Sequence, residues 1–518
     1  MASSVVLACV GAVILCALKV FHWLWWKPKR LERYFRGQGI EGPSYKLIHG
    51  NLREHVIATK EARAKPMKSL FSHSIAPRVL PFLHRNLEKY GKVSLFWVGR
   101  TPRVDITDPD LVRDVLSNKS GELIKTTPNP LTKLFLNGIV SHNGDKWAKH
   151  RRIMNPAFHL EKLKMMLPAF HASCDELITR WEKLFREGPC ELDVVPEIQL
   201  LTSDVISRAA FGSNYKQGRR IFELQAQQLE FVAQALQTAY IPGYRFLPTK
   251  MNKRMKDMYK EVGVILRAMV EEREKAIIHC EVLNKDLLTL LIDSNLKETQ
   301  DYQGSCLENK GMKTDEIIEE CKVFYFAGQE TTAIFLVWTI VLLAMHQEWQ
   351  DRAREEVLQT FGTNKPDFDG LSHLKIVPMI LYEVLRLYPP IVNTLLRCTD
   401  KATKLGEINL PPRVLIGMPI LLIHHDRDIW GEDVEEFNPK RFSEGISKAS
   451  KHKTSFYPFG WGPRICIGQQ FALTEAKIAL TMILQRFSFE LSSTYVHAPH
   501  QTFTLQPQHG AQIVFHKL

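Results

Sequence analysis

The chain has 518 residues, of which 45% are apolar and 24% charged, with 28 Gly, 27 Pro and 9 Cys. These proportions are typical of a globular protein and exclude a disordered chain, a collagen and a small disulfide-stapled domain. The net charge is 68 − 56 = +12, which suits an anionic membrane surface or an acidic protein partner. Nucleic acid is not predicted as a partner, because no zinc-finger spacing and no basic-aromatic strand pattern is present.

The first segment of the chain predicts a membrane anchor. An uncharged run of 17 residues extends from Ala2 to Leu18, and apolar residues continue to Trp26, long enough for a helix to cross a hydrocarbon core of about 30 Å. A cleaved signal peptide is the alternative, but no basic residue precedes the run and no small-x-small site follows it. We expect a transmembrane anchor over residues 1–26, then a basic linker over residues 27–43 that faces the cytosol.

The remainder, residues 44–518, is expected to form one mainly α domain with small β-sheets. Short strands are predicted at 93–98 and 103–106, with strand-like segments near 405–423 and 487–516. Helical periodicity covers 108–117, 144–155, 160–187, 196–211, 218–240, 249–280, 285–294, 313–346, 347–361, 371–387 and 467–487. A formal GxGxxG at 37–42 is interpreted as part of the linker, since a dinucleotide site needs a strand before it and a helix after it.

The longest predicted helix contains residues that are unfavourable in a helix interior. Gly328 costs about 1 kcal/mol relative to Ala, and Glu330 is an acid among apolar neighbours. This pattern favours a functional groove. The alternative is that Thr331 only bonds back to the carbonyl four residues earlier and bends the helix.

Glu383 and Arg386 lie one helical turn apart and are flanked by apolar residues. Their sequence context predicts a buried ion pair rather than a surface pair. Burial of such a pair is tolerable only when further hydrogen-bond partners are present.

The most specific feature is the loop FGWGPRICIG at 459–468, which delivers Cys466 to the start of a helix. A thiolate is a metal ligand, and its pKa falls at a helix N-terminus and beside positive charge. Small residues let backbone N–H groups approach the sulfur, and Arg464 is able to pair with an anionic cofactor. The alternative, a turn that carries a buried thiol, does not explain all the fixed positions.

This loop resembles the heme-binding signature of the cytochrome P-450 family, and the other motifs follow in the family's order. The resemblance implies a single-domain cytochrome P-450 fold behind an N-terminal transmembrane helix, with Cys466 as the axial ligand of the heme iron. It further implies cofactor contacts from Trp147, Arg151, Arg397, Phe459 and Arg464. By similarity, Thr331 and Glu330 guide protons to dioxygen, while Glu383, Arg386 and Arg441 brace the heme loop.

The stretches WAKHRRIMNPAFHLEKLKMMLPAF and EECKVFYFAGQETT resemble the plant subgroup that contains secologanin synthase and related terpenoid oxidases. The resemblance implies insertion of one oxygen atom from dioxygen into a C–H bond of a bulky apolar substrate, expected to be an iridoid, triterpenoid or diterpenoid. Because the chain has no flavin or nicotinamide module, electrons are expected from a separate NADPH-dependent reductase at the endoplasmic reticulum membrane. Lys146, Lys149 and Arg152 are candidates for its docking surface, and an ordinary solvated basic face is the alternative.

By analogy, the substrate contacts are expected at Leu131, Leu134, Phe135, Phe326, Ala327, Ile391, Asn393, Thr394 and Phe503. Two other functions remain open. A heme-thiolate isomerase or dehydratase of hydroperoxides needs no reductase and typically lacks the acid-threonine pair. A non-catalytic membrane protein that binds heme or sterol needs the cysteine but no proton relay.

Overall fold

The structure is a computed structural model that describes residues 2–67, 69–118, 121–126, 130–186, 188–213, 215–238, 240, 243–279, 286–300, 311–393 and 396–518. Within these residues the helices are α1 (Ala2–Phe21), α2 (Lys27–Arg36), α3 (Leu52–Ala64), α4 (Ala76–Val79), α5 (Pro81–Tyr90), α6 (Pro109–Ser117), α7 (Gly144–Met154), α8 (Leu160–Met165), α9 (Leu167–Leu184), α10 (Val194–Phe211), α11 (Tyr215–Leu236), α12 (Lys250–Ile278), α13 (Leu287–Gln300), α14 (Thr314–Met345), α15 (Gln347–Phe361), α16 (Phe368–His373), α17 (Ile376–Leu387), α18 (Ile420–His424), α19 (Arg427–Trp430) and α20 (Gln469–Leu484).

The strands are short by comparison with the helices. They are β1 (Val93–Val98), β2 (Thr101–Ile106), β3 (Leu123–Lys125), β4 (Cys190–Asp193), β5 (Arg397–Thr399), β6 (Thr403–Leu405), β7 (Ile408–Leu410), β8 (Leu415–Gly417), β9 (Phe487–Leu491), β10 (Pro499–Gln501), β11 (Leu505–Pro507) and β12 (Gln512–Lys517). Helices therefore dominate and the sheets are small, which confirms the predicted fold class.

Several predicted elements differ in their limits. The helix predicted over 160–187 is divided at Met166, because Pro168 in the first turn of α9 cannot supply the N–H that would continue α8. The helix predicted over 371–387 is divided at Leu374, which is extended. Strand was wrong for the end of 405–423, where α18 forms from a fully buried apolar run whose pattern does not distinguish helix from strand.

Helix α14 occupies the hydrophobic core. Every residue from Thr332 to Met345 is buried, as expected for a helix surrounded by protein. It packs on α10, α12, α17 and α20. A Cβ on Gly328 would lie 2.7 Å from Cδ1 of Ile206, so the glycine allows α10 and α14 to approach closely.

The largest sheet has the strand order β1-β2-β8-β5-β3. Its β2–β8 pair is parallel, whereas β1–β2, β8–β5 and β5–β3 are antiparallel. In the β3–β5 pair, Lys125 lies opposite Arg397. This register places two cations side by side on one face of the sheet edge.

The N-terminal helix is continuous from Ser4 to Arg36, and its apolar window is long enough to cross a membrane and entirely exposed. The segment predicted as a linker is therefore helical in its first part. The end of the apolar run contacts the rest of the protein. The Arg100 guanidinium lies 3.8 Å from the Trp23 ring centroid, and the Tyr45 hydroxyl donates to the Leu24 carbonyl at 2.6 Å.

Candidate active site

The loop before α20 holds Cys466 in a fixed backbone conformation. The Cys466 N–H donates to the Phe459 carbonyl at 2.9 Å, which closes the loop on itself. Gly462 has a φ of 74°, and a Cβ there would lie 2.6 Å from the Leu116 carbonyl oxygen. A glycine is therefore required where this loop passes the end of α6.

Two observations together indicate that the Cys466 thiol faces a cleft that solvent can enter. Its surface is accessible to solvent, yet burial among protein atoms is the main influence on its pKa, which it raises. The Gly468 N–H, together with the charges of Arg151 and Lys125, acts in the opposite direction and favours the thiolate. A metal ion that enters the cleft would therefore meet a sulfur with donors and cations already around it.

Four cationic side chains surround this cleft. Arg151 donates to the Ile465 carbonyl at 2.8 Å, which places α7 against the cysteine loop. The Arg464 guanidinium lies 4.4 Å from the Trp147 ring centroid and donates to the His142 carbonyl at 2.8 Å. Lys125 and Arg397 complete the set from β3 and β5.

The charges of Lys125, Arg151 and Arg464 are poorly compensated by the described part of the protein. Among the described residues, no salt bridge joins Lys125, Arg151 or Arg464 to a carboxylate. Burial and the neighbouring Arg397 and Arg464 lower the pKa of Lys125 to about 7. Burial, with Arg464 as a further cause, lowers the pKa of Arg397 to about 10, and burial lowers that of Arg464 to about 10.

A planar dianion with an iron centre fits this arrangement. Like charges opposite each other in a sheet are unfavourable unless an anion lies between or beside them. The two propionates of heme supply such anions, and Cys466 supplies the ligand for its iron. The residues that would hold heme are Cys466, Trp147, Arg151, Arg397, Phe459, Arg464 and Lys125.

Lys125 and Asn143 are parts of the site that the sequence analysis missed. The Asn143 amide oxygen accepts from the Lys125 N–H at 2.8 Å and from Arg464 at 3.2 Å, so it joins β3 to the cysteine loop. Neither residue belongs to a recognisable motif. Only the pairing of β3 with β5 shows that Lys125 is near Arg397.

Glu383 and Arg386 form a fully buried ion pair with two hydrogen bonds, of 2.8 and 2.7 Å. Arg386 also donates to the carbonyls of His424 at 3.0 Å and Val434 at 2.7 Å, which offsets the cost of burial. The His424 ring in turn accepts from the Tyr457 N–H at 3.3 Å. This chain of bonds connects the ion pair to the segment that leads into the cysteine loop.

Arg441 lies in the same cluster as Glu383, but its shortest ion pair is with Asp433. Its guanidinium is bound by Asp433, with an Nη2–Oδ2 distance of 2.8 Å, whereas its Nε lies 3.8 Å from the nearest Glu383 oxygen. The Asn438 N–H donates directly to Glu383 at 3.0 Å. The segment that carries Arg441 is therefore joined to Glu383 chiefly by its backbone, and Asp433 is a partner that the sequence did not indicate.

Thr331 and Glu330 point to different partners. The Thr331 hydroxyl donates to the Ala327 carbonyl at 2.7 Å, the back-bonding arrangement that the sequence left open. The buried Glu330 carboxylate accepts from the Thr504 hydroxyl at 2.7 Å and the Gln506 amide at 2.8 Å. Adjacent helical residues project about 100° apart, so direct contact between them is not expected.

Three of the predicted substrate residues form one aromatic cluster. The ring centroids of Phe135 and Phe326 are 4.5 Å apart, those of Phe326 and Phe503 are 5.2 Å apart, and those of Phe135 and Phe503 are 6.4 Å apart. The cluster joins the loop before α7, helix α14 and the turn between β10 and β11. Leu131 and Leu134 lie on the 3-10 turn that leads to Phe135, and Ala327 follows Phe326 on α14.

The segment after α17 contains the polar residue among the described substrate candidates. The Leu505 N–H donates to the Pro390 carbonyl at 3.0 Å, which places the segment beside β11. Asn393 has a buried amide oxygen that accepts no hydrogen bond from the described residues. Ile391 is half-buried in the same segment, whereas Thr394 lies outside the described residues.

The basic residues considered for reductase docking are each paired within the protein. Lys146 lies 2.7 Å from a Glu316 oxygen and Lys149 lies 3.6 Å from the other one, while Arg152 lies 2.5 Å from Glu298. Their charge is therefore largely compensated. This arrangement gives no support to these three residues as an excess-charge docking face.

The comparisons with known proteins agree with this site. The family model for cytochrome P-450 matches residues 73–515. The chain is 59% identical to cytochrome CYP72A616 of Paris polyphylla, over 96% of this chain and 95% of that protein. It is 54% identical to CYP72A219 of Panax ginseng, over 98% and 97% of the two chains.

Another relative carries the name of a reaction. The chain is 50% identical to echinocystic acid 23-monooxygenase of Saponaria officinalis, over 99% of this chain and 98% of that protein. With a cysteine loop, a cationic cleft and this degree of identity together, the chain belongs to the cytochrome P-450 family, and it is a monooxygenase whose cofactor is heme held by a cysteine thiolate.

Proposed function

We propose that this monooxygenase is anchored in the endoplasmic reticulum membrane and inserts one oxygen atom from dioxygen into a C–H bond of a bulky terpenoid. Its electrons come from a separate NADPH-dependent reductase. The observation that carries the substrate class is the cluster of Phe135, Phe326 and Phe503, which presents aromatic surface from three separate parts of the chain. The relative named echinocystic acid 23-monooxygenase makes triterpenoids the first class to test.

The protein contributes to the chemistry by binding the heme and by shielding the substrate pocket from water. Bound heme supplies the reduction and cleavage of dioxygen, with one oxygen atom going to the substrate and the other leaving as water. Cys466 would hold the iron, and Lys125, Arg151, Arg397 and Arg464 would neutralise the propionates. The aromatic cluster excludes water from the side of the pocket where an apolar skeleton lies, which favours productive oxidation over loss of oxidant to solvent.

Proton delivery is assigned to α14. Thr331 is half-exposed, and its oxygen can accept a hydrogen bond while its own hydrogen is held by Ala327. Glu330 lies behind it with one oxygen bound by neutral donors. Protons pass between the two through solvent that enters the cleft, in a general-acid relay.

Substrate orientation is assigned to Asn393. A buried amide oxygen without a partner costs about 1–3 kcal/mol, and a donor on the ligand recovers that cost. A hydroxyl group or a glycoside on the terpenoid supplies such a donor. Asn393 would thus select one end of a substrate whose remaining surface is apolar.

The exposed apolar helix supports the membrane location. Residues 1–26 form the anchor, residues 27–43 the basic connection and residues 44–518 the catalytic domain, which faces the cytosol. Arg100 on Trp23 and Tyr45 on Leu24 fix the end of the anchor to the catalytic domain. The domain would then keep one orientation relative to the bilayer, close to substrates that dissolve in the lipid.

The test is a product screen in microsomes that contain the chain and a plant NADPH-dependent reductase. Triterpenoids with echinocystic acid among them, iridoids and diterpenoids are supplied, and NADPH consumption and oxygenated products are measured. A terpenoid product that depends on NADPH supports the proposal. Turnover of hydroperoxides without reductase would establish the isomerase instead, and ligand binding without turnover of any compound would establish a binding protein.

A further inference from the structure

The carboxylate of Glu330 is held by two residues from a distant part of the chain. Thr504 and Gln506 donate to the same oxygen, Oε1, at 2.7 and 2.8 Å. Thr504 immediately precedes β11 and Gln506 lies within it, and both side chains reach Glu330 on α14. The Gln506 amide also lies 3.3 Å from the Thr504 hydroxyl, so the three groups form one cluster.

Only neutral groups hold this carboxylate. Glu330 is 5% exposed, and among the described residues no Lys, Arg or His lies within salt-bridge distance of it. Its second oxygen, Oε2, receives no hydrogen bond from the described residues. Oε2 is also not one of the buried polar atoms that lack a partner, so it keeps contact with solvent-accessible space.

The cluster fixes the orientation of the Glu330 carboxylate. One oxygen is fixed by two donors while the other is left available, so the carboxylate cannot rotate freely and Oε2 keeps a defined direction. Hydrogen bonds from a hydroxyl and an amide achieve this without the fixed charge of a lysine or arginine.

The hairpin that supplies these donors also carries a substrate contact. Phe503 precedes Thr504 and packs on Phe326 at 5.2 Å between ring centroids. The hairpin is itself fixed to the core, since the Trp338 indole donates to the Leu505 carbonyl at 2.6 Å. A molecule that presses on Phe503 therefore acts on the residue next to the hydroxyl that holds Glu330.

We propose that Thr504 and Gln506 are positioning residues for Glu330, and that the turn at Phe503 links the occupied pocket to the orientation of this acid. The proposal rests on the proton-delivery role of Glu330 given above. It adds the part of the chain that sets the direction of the acid. Neither residue touches substrate or cofactor in this scheme, and both act through Glu330.

The experiment uses the full-length holoenzyme with reductase and echinocystic acid or, if that gives no spectral shift, whichever compound of the terpenoid panel gives the largest shift. Thr504→Val removes the hydroxyl and keeps the shape, and Thr504→Ser restores the donor. Thr339→Val is the matched control, because Thr339 is a buried threonine on α14 whose hydroxyl donates to the Phe335 carbonyl at 2.8 Å and has no other side-chain bond among the described residues. The measurements are product formed per NADPH consumed, the solvent deuterium isotope effect on kcat, and the substrate Kd from the spectral shift.

We expect Thr504→Val to lower product per NADPH about three- to tenfold, the effect of losing one hydrogen bond. The isotope effect should increase, since proton delivery becomes slower, while the Kd and the carbon monoxide spectrum stay as in the unaltered enzyme. Thr504→Ser should recover most of the loss. A variant that merely loosened the fold would instead lower the spectral yield and weaken binding, as a structural role predicts.

The outcomes distinguish failure of the positioning role of Thr504 from failure of the proton-delivery role of Glu330. If Thr504→Val behaves like Thr339→Val while Glu330→Gln lowers product per NADPH, the positioning proposal is wrong and the proton role of Glu330 stands. If Glu330→Gln has no effect either, the proton role itself is wrong. For the link to the pocket, Phe503→Leu combined with Thr504→Val should give less than the sum of the single effects on product per NADPH, and simple additivity would refute it.

Discussion

The pH dependence of heme binding offers a direct test of the cationic cleft, through the replacement Lys125→Arg. In the heme-free protein the pKa of Lys125 is lowered to about 7, and the pKa of the Cys466 thiol is raised. Between about pH 7 and about pH 9 the lysine is therefore mainly neutral and the cysteine is a thiol. Arginine at position 125 keeps its charge throughout this range.

The expected magnitude follows from counting protons. Coordination of Cys466 to iron releases one proton. In the unaltered protein Lys125 takes one up, because the propionates favour its charged form. The two changes cancel, so heme affinity is nearly independent of pH in this range. In the arginine variant only the release remains, so the affinity should rise about tenfold per pH unit.

The assay is a hemin titration of heme-free protein at several pH values, followed by the Soret absorbance. The slope of log Kd against pH is compared between Lys125→Arg and the unaltered protein, so that the titration of free hemin cancels. Lys133→Arg, an exposed lysine on the neighbouring 3-10 turn, is the control and should keep the unaltered slope. Parallel slopes for Lys125→Arg and the unaltered protein would refute the assignment of Lys125 to the propionates.

Three further outcomes follow from the site. Gly462→Ala should abolish the carbon monoxide spectrum, since its Cβ would meet the Leu116 carbonyl at 2.6 Å, whereas Gly445→Ala, also at positive φ but with no atom within 4 Å, should retain it. Arg386→Leu leaves a buried carboxylate unpaired and should lower the free energy of unfolding by about 3–5 kcal/mol in urea denaturation; a change below about 1 kcal/mol would contradict the buried pair. Asn393→Leu should raise the Kd of a hydroxylated triterpenoid about three- to tenfold and leave an analogue without the hydroxyl unchanged, and equal effects on both would refute the contact.

The local motifs could be predicted from the sequence because their chemistry is contained within one element. Cys466 and its glycines occupy a single loop, and Glu383 and Arg386 occupy a single helical turn. Such residues keep a fixed spacing along the chain, so the pattern is visible without any fold. The same holds for the exposed apolar helix, whose length alone is sufficient to cross a bilayer.

The sequence was least informative where the same residue pattern is compatible with two different structures or two different partners. The end of the region 405–423 was predicted as strand, but residues 420–423 belong to α18, because the apolar run there is buried on every side and so has no periodicity. The pairing of Arg441 with Asp433 was likewise not visible in the sequence. An arginine in a turn pairs with whichever carboxylate the turn brings near, and spacing does not reveal that choice.

By itself the sequence determined the cysteine loop, the core helix and the exposed apolar helix, because each depends on neighbours in the chain. The tertiary structure alone decided that Lys125 lies opposite Arg397 and that Thr504 holds Glu330. These pairs join distant segments, and nothing in either segment specifies its partner. Their energies arise from burial of charge and polar groups in a shared interior, which exists only after the chain has folded.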